Sequence, residues 1–149
     1  MVVLVALLPI AVVAMVLGVV VRAKRSPYPL CRLDVAGGEV VVTVDVPSWL
    51  TLRRRVSAPL ADVVTASVVP TGTRIPLIAR VAGTGWPGFR AGYFWGRGIG
   101  LCFLCCRSHH AAVEVLLARG RVKRWIVEVA DPAATAAALS APLLAPHQA

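Results

Sequence analysis

The chain has 149 residues, a length that suits one modest domain plus an appendage. Hydrophobic residues make up 58% of it, charged residues only 15%, and the mean hydropathy is +0.76. These values exclude an ordinary soluble domain over the whole length and predict a membrane segment. Sixteen Lys and Arg against seven Asp and Glu give a net charge of +9, which favours an anionic partner, either nucleic acid or an acidic lipid bilayer.

The first element is an apolar run over residues 2–21 without a charged or strongly polar side chain. A helix needs about 20 apolar residues to cross a hydrocarbon core of about 30 Å, so the run predicts an N-terminal transmembrane helix within residues 1–22. The alternative is a cleaved signal peptide, which has a basic start and an apolar stretch of about 7–15 residues. Nothing basic precedes this longer run, so an uncleaved anchor is favoured.

Three basic residues follow the anchor and indicate its orientation. Arg22, Lys24 and Arg25 flank its C-terminal end, whereas only Met1 precedes the other end. Because basic flanks remain in the cytoplasm, we expect a single-pass protein of the cell membrane, with its N-terminus outside and its C-terminal domain cytoplasmic. The four unevenly spaced cysteines fit a reducing compartment rather than a disulfide framework.

A short linker over residues 23–29, rich in basic residues and proline, leads into a β-hairpin. Apolar and polar residues alternate over 31–35 and again over 39–46, and Gly37 and Gly38 separate the two runs. Alternation with a Gly-Gly turn predicts an antiparallel hairpin with one buried face. Further strands are expected over 49–56, 63–69, 75–81, 89–95, 99–106, 113–117 and 122–129. The last two are expected to form a hairpin around Arg119-Gly120.

The pattern changes to a helix near the C-terminus. Asp131 is a good N-cap, and Pro132 suits the first helical position, so a helix is predicted over 133–141. Pro142 is expected to end it, which leaves residues 142–149 as a disordered tail.

Two segments carry a resemblance to a known family. They are the stretch from Thr73-Arg74 through Trp86-Pro87-Gly88 to Phe89, Gly92 and Phe94, and the stretch from Trp125 through Asp131-Pro132 to Leu139. They resemble the bacterial pleckstrin-homology-like domains, many of which also carry an N-terminal membrane segment. The resemblance implies a mainly β domain over 30–141: a seven-stranded, bent antiparallel sheet or partly open barrel with a C-terminal α-helix. It implies little about activity, because most members have no assigned function.

The segment 83–88 matches the pattern G-x-G-x-x-G of dinucleotide-binding loops. Such a loop must follow a strand and open a helix, so that the helix N-terminus meets the pyrophosphate. Here a strand pattern follows instead, so we interpret the segment as a tight turn and expect no cofactor.

A cluster of cysteine and histidine residues occupies 102–110. Cys102, Cys106, His109 and His110 are candidate zinc ligands by chemistry. On a strand, however, Cys102 and Cys106 face one side and Cys105 the other. Buried core cysteines beside a polar turn are the favoured interpretation, and a metal- or redox-responsive protein is the most distant of the functional alternatives.

Enzymatic motifs are absent from the sequence. The seven acidic residues form no cooperating pair, and there is no nucleophile elbow, H-E-x-x-H motif or P-loop. A nucleophilic pair of Cys106 with His109 lacks an orienting third group. We therefore expect no catalytic residue and no enzymatic activity.

The densest basic run outside the linker is Arg53, Arg54 and Arg55. In pleckstrin-homology-like domains, basic residues near the early hairpins can contact phosphoinositide head groups, so these arginines are candidate contacts for anionic lipid. The sequence predicts a membrane-anchored binding or scaffolding module for an unidentified protein partner. The alternative is a peripheral sensor of anionic phospholipid head groups. Nucleic acid is not expected as the partner, because the aromatic residues fit a core better than a stacking platform.

Overall fold

The computed structural model describes the backbone of residues 2–144 and the side chains of residues 11–141. Within that range the chain forms three α-helices and nine strands. The helices are α1 (Val2–Arg25), α2 (Ser48–Thr51) and α3 (Pro132–Leu144). The strands are β1 (Cys31–Ala36), β2 (Glu39–Val44), β3 (Arg55–Pro59), β4 (Val63–Val69), β5 (Leu77–Trp86), β6 (Phe89–Gly96), β7 (Gly100–Arg107), β8 (Ala112–Leu117) and β9 (Arg124–Val127).

The strands form two sheets, and this corrects the predicted fold class. One sheet has the order β1-β2-β3, and the other has the order β4-β8-β9-β7-β6-β5. The chain is mainly β with a C-terminal helix, as expected, but a single seven-stranded pleckstrin-homology-like sheet or barrel is wrong. The reason is that β9 inserts between β8 and β7, where it pairs antiparallel with β8 and parallel with β7. In addition, β1, β2 and β3 form a sheet of their own.

The first hairpin is confirmed, whereas the strand predicted after it is wrong. Gly37 and Gly38 both have positive φ and form the two-residue loop between β1 and β2, as a type I′ turn requires. Residues 48–51 form the short helix α2 instead of a strand, and β3 begins only at Arg55. The alternating pattern misleads here because Leu50 and Thr51 are consecutive and both buried, which an extended strand with one buried face does not allow.

The main core lies between the two sheets. Val40, Val42 and Val44 of β2 belong to the same buried cluster as Phe103, Cys105, Val113, Trp125 and Val127 of the larger sheet. Apolar burial of this kind is the dominant favourable term in folding. A second, smaller cluster lies on the opposite face of the larger sheet and contains Phe94, Cys102, Leu104, Cys106, Ala112 and Ile126.

Helix α3 closes the main core with Ala136 and Leu139. The predicted N-cap is confirmed, since Asp131 Oδ1 accepts a hydrogen bond of 2.9 Å from the backbone N–H of Ala134. The predicted stop at Pro142 is wrong, because the helix continues to Leu144; a proline in a last turn forfeits only one backbone bond. The rest of the predicted tail, 145–149, lies outside the described residues.

Helix α1 does not support the predicted membrane anchor. A search of the described residues finds no helix with the length and apolar character needed to cross a membrane. The transmembrane helix over 1–22, the single-pass location in the cell membrane, the outside N-terminus and the cytoplasmic domain are corrected accordingly. Residues 1–10 of the predicted anchor lie outside the described side chains.

The C-terminal end of α1 is part of the domain and is held by a buried ion pair. Arg107 and Glu128 have side chains that are 1% and 2% exposed, and they form a salt bridge. The Arg107 guanidinium also donates to the backbone carbonyls of Ala23, Ser26 and Tyr28. Because the last carbonyls of a helix have no partner within the helix, Arg107 satisfies the end of α1 while Glu128 neutralises its charge.

We expect Glu128→Gln to lower the free energy of unfolding by about 3–5 kcal/mol, because it leaves the buried Arg107 charge without a counter-charge. Urea unfolding measures the change. The double variant Arg107→Met/Glu128→Leu should lose less, since no charge stays buried. The control is Glu114→Gln, whose partner Arg124 is only partly buried and whose loss should cost about 1 kcal/mol or less. Equal losses for Glu128→Gln and Glu114→Gln would contradict the assignment.

Candidate functional site

The three candidate arginines lie in a loop that the fold holds firmly. We define the 49–55 loop as residues 49–55, which include most of α2 and the start of β3. Leu50 and Thr51 are fully buried at its base. The Thr51 hydroxyl donates to the carbonyl of Arg53 at 2.7 Å, and the carbonyl of Arg54 accepts from the N–H of Val44 at 2.7 Å. The loop is therefore anchored at its base by two buried residues and bonded to β2 at Arg54.

A close crossing of two glycines places α2 against the larger sheet. Gly83 of β5 and Gly92 of β6 are cross-strand partners with positive φ. A Cβ on Gly83 would lie 2.3 Å from the carbonyl oxygen of Ala91 and 3.0 Å from that of Leu50. No real Cβ tolerates the first of these distances, so the backbones can approach this closely only because both residues are glycines.

Two apolar side chains project from the 49–55 loop. Trp49 is 47% exposed and Leu52 is 59% exposed. Leu52 has φ 67° and ψ −22°, and within the described residues it is the one non-glycine residue with positive φ. The left-handed conformation costs an L-residue roughly 1–2 kcal/mol. The buried neighbour Thr51 and its hydrogen bond hold Leu52 in that conformation, with its side chain towards solvent.

The structure places Arg53, Arg54 and Arg55 side by side on the surface. All three are exposed, and none lies within 4.0 Å of a carboxylate oxygen in the described part of the chain. The nearby carboxylate of Asp45 is already paired with Arg32 at 3.1 Å. The 49–55 loop therefore combines three unneutralised positive charges with two exposed apolar side chains.

The basic residues predicted to flank a membrane helix have a different setting. The Lys24 ammonium donates to the backbone carbonyl of Pro87 at 2.8 Å, in the turn between β5 and β6. Arg22 and Arg25 are exposed in the last turn of α1, where positive charge suits the helix dipole. A contact within the domain thus accounts for Lys24.

The four candidate metal ligands are not brought together. Cys102 and Cys106 belong to the smaller cluster, and the Cys102 thiol donates to the carbonyl of Phe94 at 3.2 Å. His109 and His110 lie in the turn after β7 with ring centroids 4.7 Å apart, and His110 Nδ1 faces Glu128 Oε1 at 3.5 Å. Among the described residues, no group of three or more His, Cys, Asp or Glu could hold a metal ion.

The cysteines divide between the two faces of β7, as alternation predicts. Cys105 lies in the main core and Cys102 and Cys106 in the smaller cluster. All four cysteines are free and buried. Burial raises the pKa of Cys102 from 9.0 to about 11 and that of Cys106 to about 12, and it raises the pKa of Cys31 well above 9.0. Neutral, buried thiols are poor nucleophiles and poor metal ligands at neutral pH.

The G-x-G-x-x-G segment is a strand end and a turn. Residues 83–86 belong to β5, and Pro87 and Gly88 form the turn into β6. A strand follows, so no helix N-terminus is available for a pyrophosphate. The interpretation as a tight turn is confirmed.

Sequence reasoning missed the Arg107–Glu128 pair and the apolar members of the 49–55 loop. A signal for the pair was present: Arg107 directly follows the apolar run 99–106, and Glu128 lies between Val127 and Val129. A charge in a core must have a partner. Trp49 and Leu52 were missed because residues 49–56 were interpreted as a strand.

Comparison of the chain with protein-family models, curated proteins and solved structures finds no match. The pleckstrin-homology-like resemblance therefore gains no support from relatives.

We expect Leu52→Asn to keep or raise the free energy of unfolding by up to about 1 kcal/mol, because asparagine tolerates the left-handed conformation. Leu52→Val is the matched control and should lower it by about 1 kcal/mol or more, since a β-branched residue tolerates positive φ least. Urea unfolding of both variants gives the comparison. If the valine variant were as stable as the asparagine variant, Leu52 would not be strained.

Stability should fall in alkaline solution because of the buried thiols. The folded-state pKa values of Cys102 and Cys106 are raised above 9.0, so their contribution is complete below about pH 9 and is lost as the pH rises through about 11 and 12. The free energy of unfolding, measured between pH 9 and pH 11, should fall less steeply for Cys102→Ala/Cys106→Ala than for the unmodified chain. Identical slopes would show that these thiols do not contribute.

Proposed function

We propose that the protein is a non-catalytic binding domain that contacts anionic phospholipid surfaces peripherally through the 49–55 loop. The observation that supports this most is the placement of exposed Trp49 and Leu52 beside Arg53, Arg54 and Arg55, which have no carboxylate partner in the described residues. No spanning helix is needed for such a contact.

The two kinds of side chain act on different layers of a lipid surface. Each basic residue near an anionic surface contributes about 1 kcal/mol, so three arginines supply about 3 kcal/mol. Tryptophan is enriched at the level of the head groups, and an exposed leucine adds apolar area that can be buried there. Because buried Leu50 and Thr51 fix the loop, little conformational freedom is lost on contact.

A protein-binding scaffold is the second candidate, and the edge strand β5 favours it. β5 is the last strand of the larger sheet, and Ile78 and Val81 on it are 60% and 59% exposed. An exposed edge of this kind can accept an extended segment of a partner as an added strand. This candidate places the partner on β5 and leaves the three arginines without a role.

The lipid contact predicts that the full chain sediments with vesicles of phosphatidylcholine and phosphatidylglycerol but not with phosphatidylcholine alone. Replacing Arg53, Arg54 and Arg55 together by glutamine should weaken this binding by about 100-fold, which corresponds to the loss of about 3 kcal/mol. Trp49→Ala should weaken it further, and added salt should weaken the binding of the unmodified chain through screening.

The matched control is the triple replacement of Arg119, Arg121 and Lys123 by glutamine, which removes the same charge from the turn between β8 and β9. Both triple variants retain α1 unchanged, so any apolar contact through that helix is common to them. If the two triple variants lost equal vesicle binding, the effect would be one of net charge alone. That result would contradict the assignment of the 49–55 loop as the lipid contact. Absence of binding to the anionic vesicles would contradict it directly and favour the scaffold.

A further inference from the structure

A small cavity lies on the face of the larger sheet that the first sheet does not cover. Its volume is about 60 Å³, and it is enclosed between the loop after β4 and the adjoining ends of β6 and β7. A cavity of this size holds about four water molecules, which is also the scale of a tetrahedral oxyanion. Its walls combine apolar side chains such as Ile75 and Ile126 with polar side chains from Thr73, Arg90, Ser108 and His110.

Arg90 supplies a positive charge to this cavity. It lies on β6 directly across from Cys106 on β7 and is half-buried. Within the described residues its guanidinium has no carboxylate oxygen within 4.0 Å. An arginine held in this way retains its full capacity for charge-assisted hydrogen bonds to an oxyanion.

The nearest carboxylate does not cancel that charge. Glu128 lies close to the cavity, and its side chain is bound by Arg107 through the guanidinium and through the backbone N–H at 3.0 Å. The pair is neutral as a unit, so Arg90 leaves the cavity positive. His110 also lines the cavity, with Nδ1 3.5 Å from Glu128 Oε1, and its Nε2 is the ring nitrogen without a carboxylate partner.

Ser108 adds a hydroxyl group in a fixed position. Its N–H donates to the carbonyl of Gly88 at 3.1 Å, and its carbonyl accepts from the N–H of Gly72 at 2.9 Å. These two bonds join the turn before β6, the residue after β7 and the loop after β4 into one rim. Ser108 is exposed, so its hydroxyl can donate to a bound anion.

From this geometry we propose that the cavity binds a phosphate group, with Arg90 as the charged ligand and the Ser108 hydroxyl as a hydrogen-bond donor. The site is separate from the 49–55 loop and does not depend on the lipid contact. The size of the cavity fits one phosphate group.

The test is calorimetric titration of the full chain with inorganic phosphate and, in a second arm, with glycerol 3-phosphate, at constant ionic strength maintained with chloride. Inorganic phosphate should bind saturably. If the natural ligand is a phosphate monoester, glycerol 3-phosphate should bind at least as tightly; if it is the free ion, the monoester should bind more weakly. Failure of both to bind above the chloride background overturns the proposal.

Variants locate the site. Arg90→Gln should weaken binding by about 10- to 100-fold, the range expected for hydrogen bonds to a charged group, and Ser108→Ala should weaken it several-fold. Arg97→Gln is the matched control, since Arg97 is an exposed arginine beyond the opposite end of β6, and it should bind as the unmodified chain does.

Further variants test the phosphate site independently of Arg90→Gln. If Arg90→Gln does not fold, Arg90→Lys retains the charge without the two-pronged donor and should still weaken binding, as should Ser108→Ala. The glutamine variant of Arg53, Arg54 and Arg55 should bind phosphate normally even where it loses vesicle binding. Loss of phosphate binding in that variant, or in Arg97→Gln, would place the anion elsewhere and overturn the assignment.

Discussion

The salt bridge between Arg107 and Glu128 joins parts of this domain that lie far apart in the sequence. Arg107 ends β7 and Glu128 follows β9, so their pairing ties the two central strands of the larger sheet, while the guanidinium binds the carbonyls that end α1 and lead into β1. Two charges buried to 1% and 2% exposure must satisfy one another, because burial removes the water that otherwise solvates them. The approach of α1 to the sheets therefore depends on this pair.

Because of the same ion pair, the two faces of the larger sheet differ in charge. On one face lie the first sheet and α3, which enclose an apolar core. On the other face, Glu128 is saturated by Arg107, so the half-buried Arg90 keeps an unneutralised charge beside the small cavity. The cavity is positive because Arg107 neutralises Glu128 and leaves Arg90 without a carboxylate partner among the described residues. The high net charge of the chain is not the cause.

The two proposed binding features are both short segments carried on rigid strands. The 49–55 loop is fixed by buried Leu50 and Thr51 and by the glycine crossing beneath it, and that rigidity maintains the left-handed conformation of Leu52. The cavity rim is fixed by the two backbone hydrogen bonds of Ser108. Binding residues placed on a firm scaffold lose little freedom when a ligand arrives, and neither feature requires a catalytic group.

Turn chemistry, alternation and capping act between near neighbours in the chain. Local patterns in the sequence therefore determined the β1–β2 hairpin, strand β4, the β8–β9 hairpin, the division of the cysteines between the faces of β7 and the Asp131 cap. They did not determine how the strands assemble. Contacts between residues distant in sequence decided the remaining features. These are the insertion of β9 between β7 and β8, the separate first sheet, the helix at 48–51, and the ion pair between Arg107 and Glu128, which lie 21 positions apart. The exposure of Arg53 to Arg55 and the unpartnered state of Arg90 were decided in the same way, since whether a charge meets a carboxylate is a property of the folded arrangement alone.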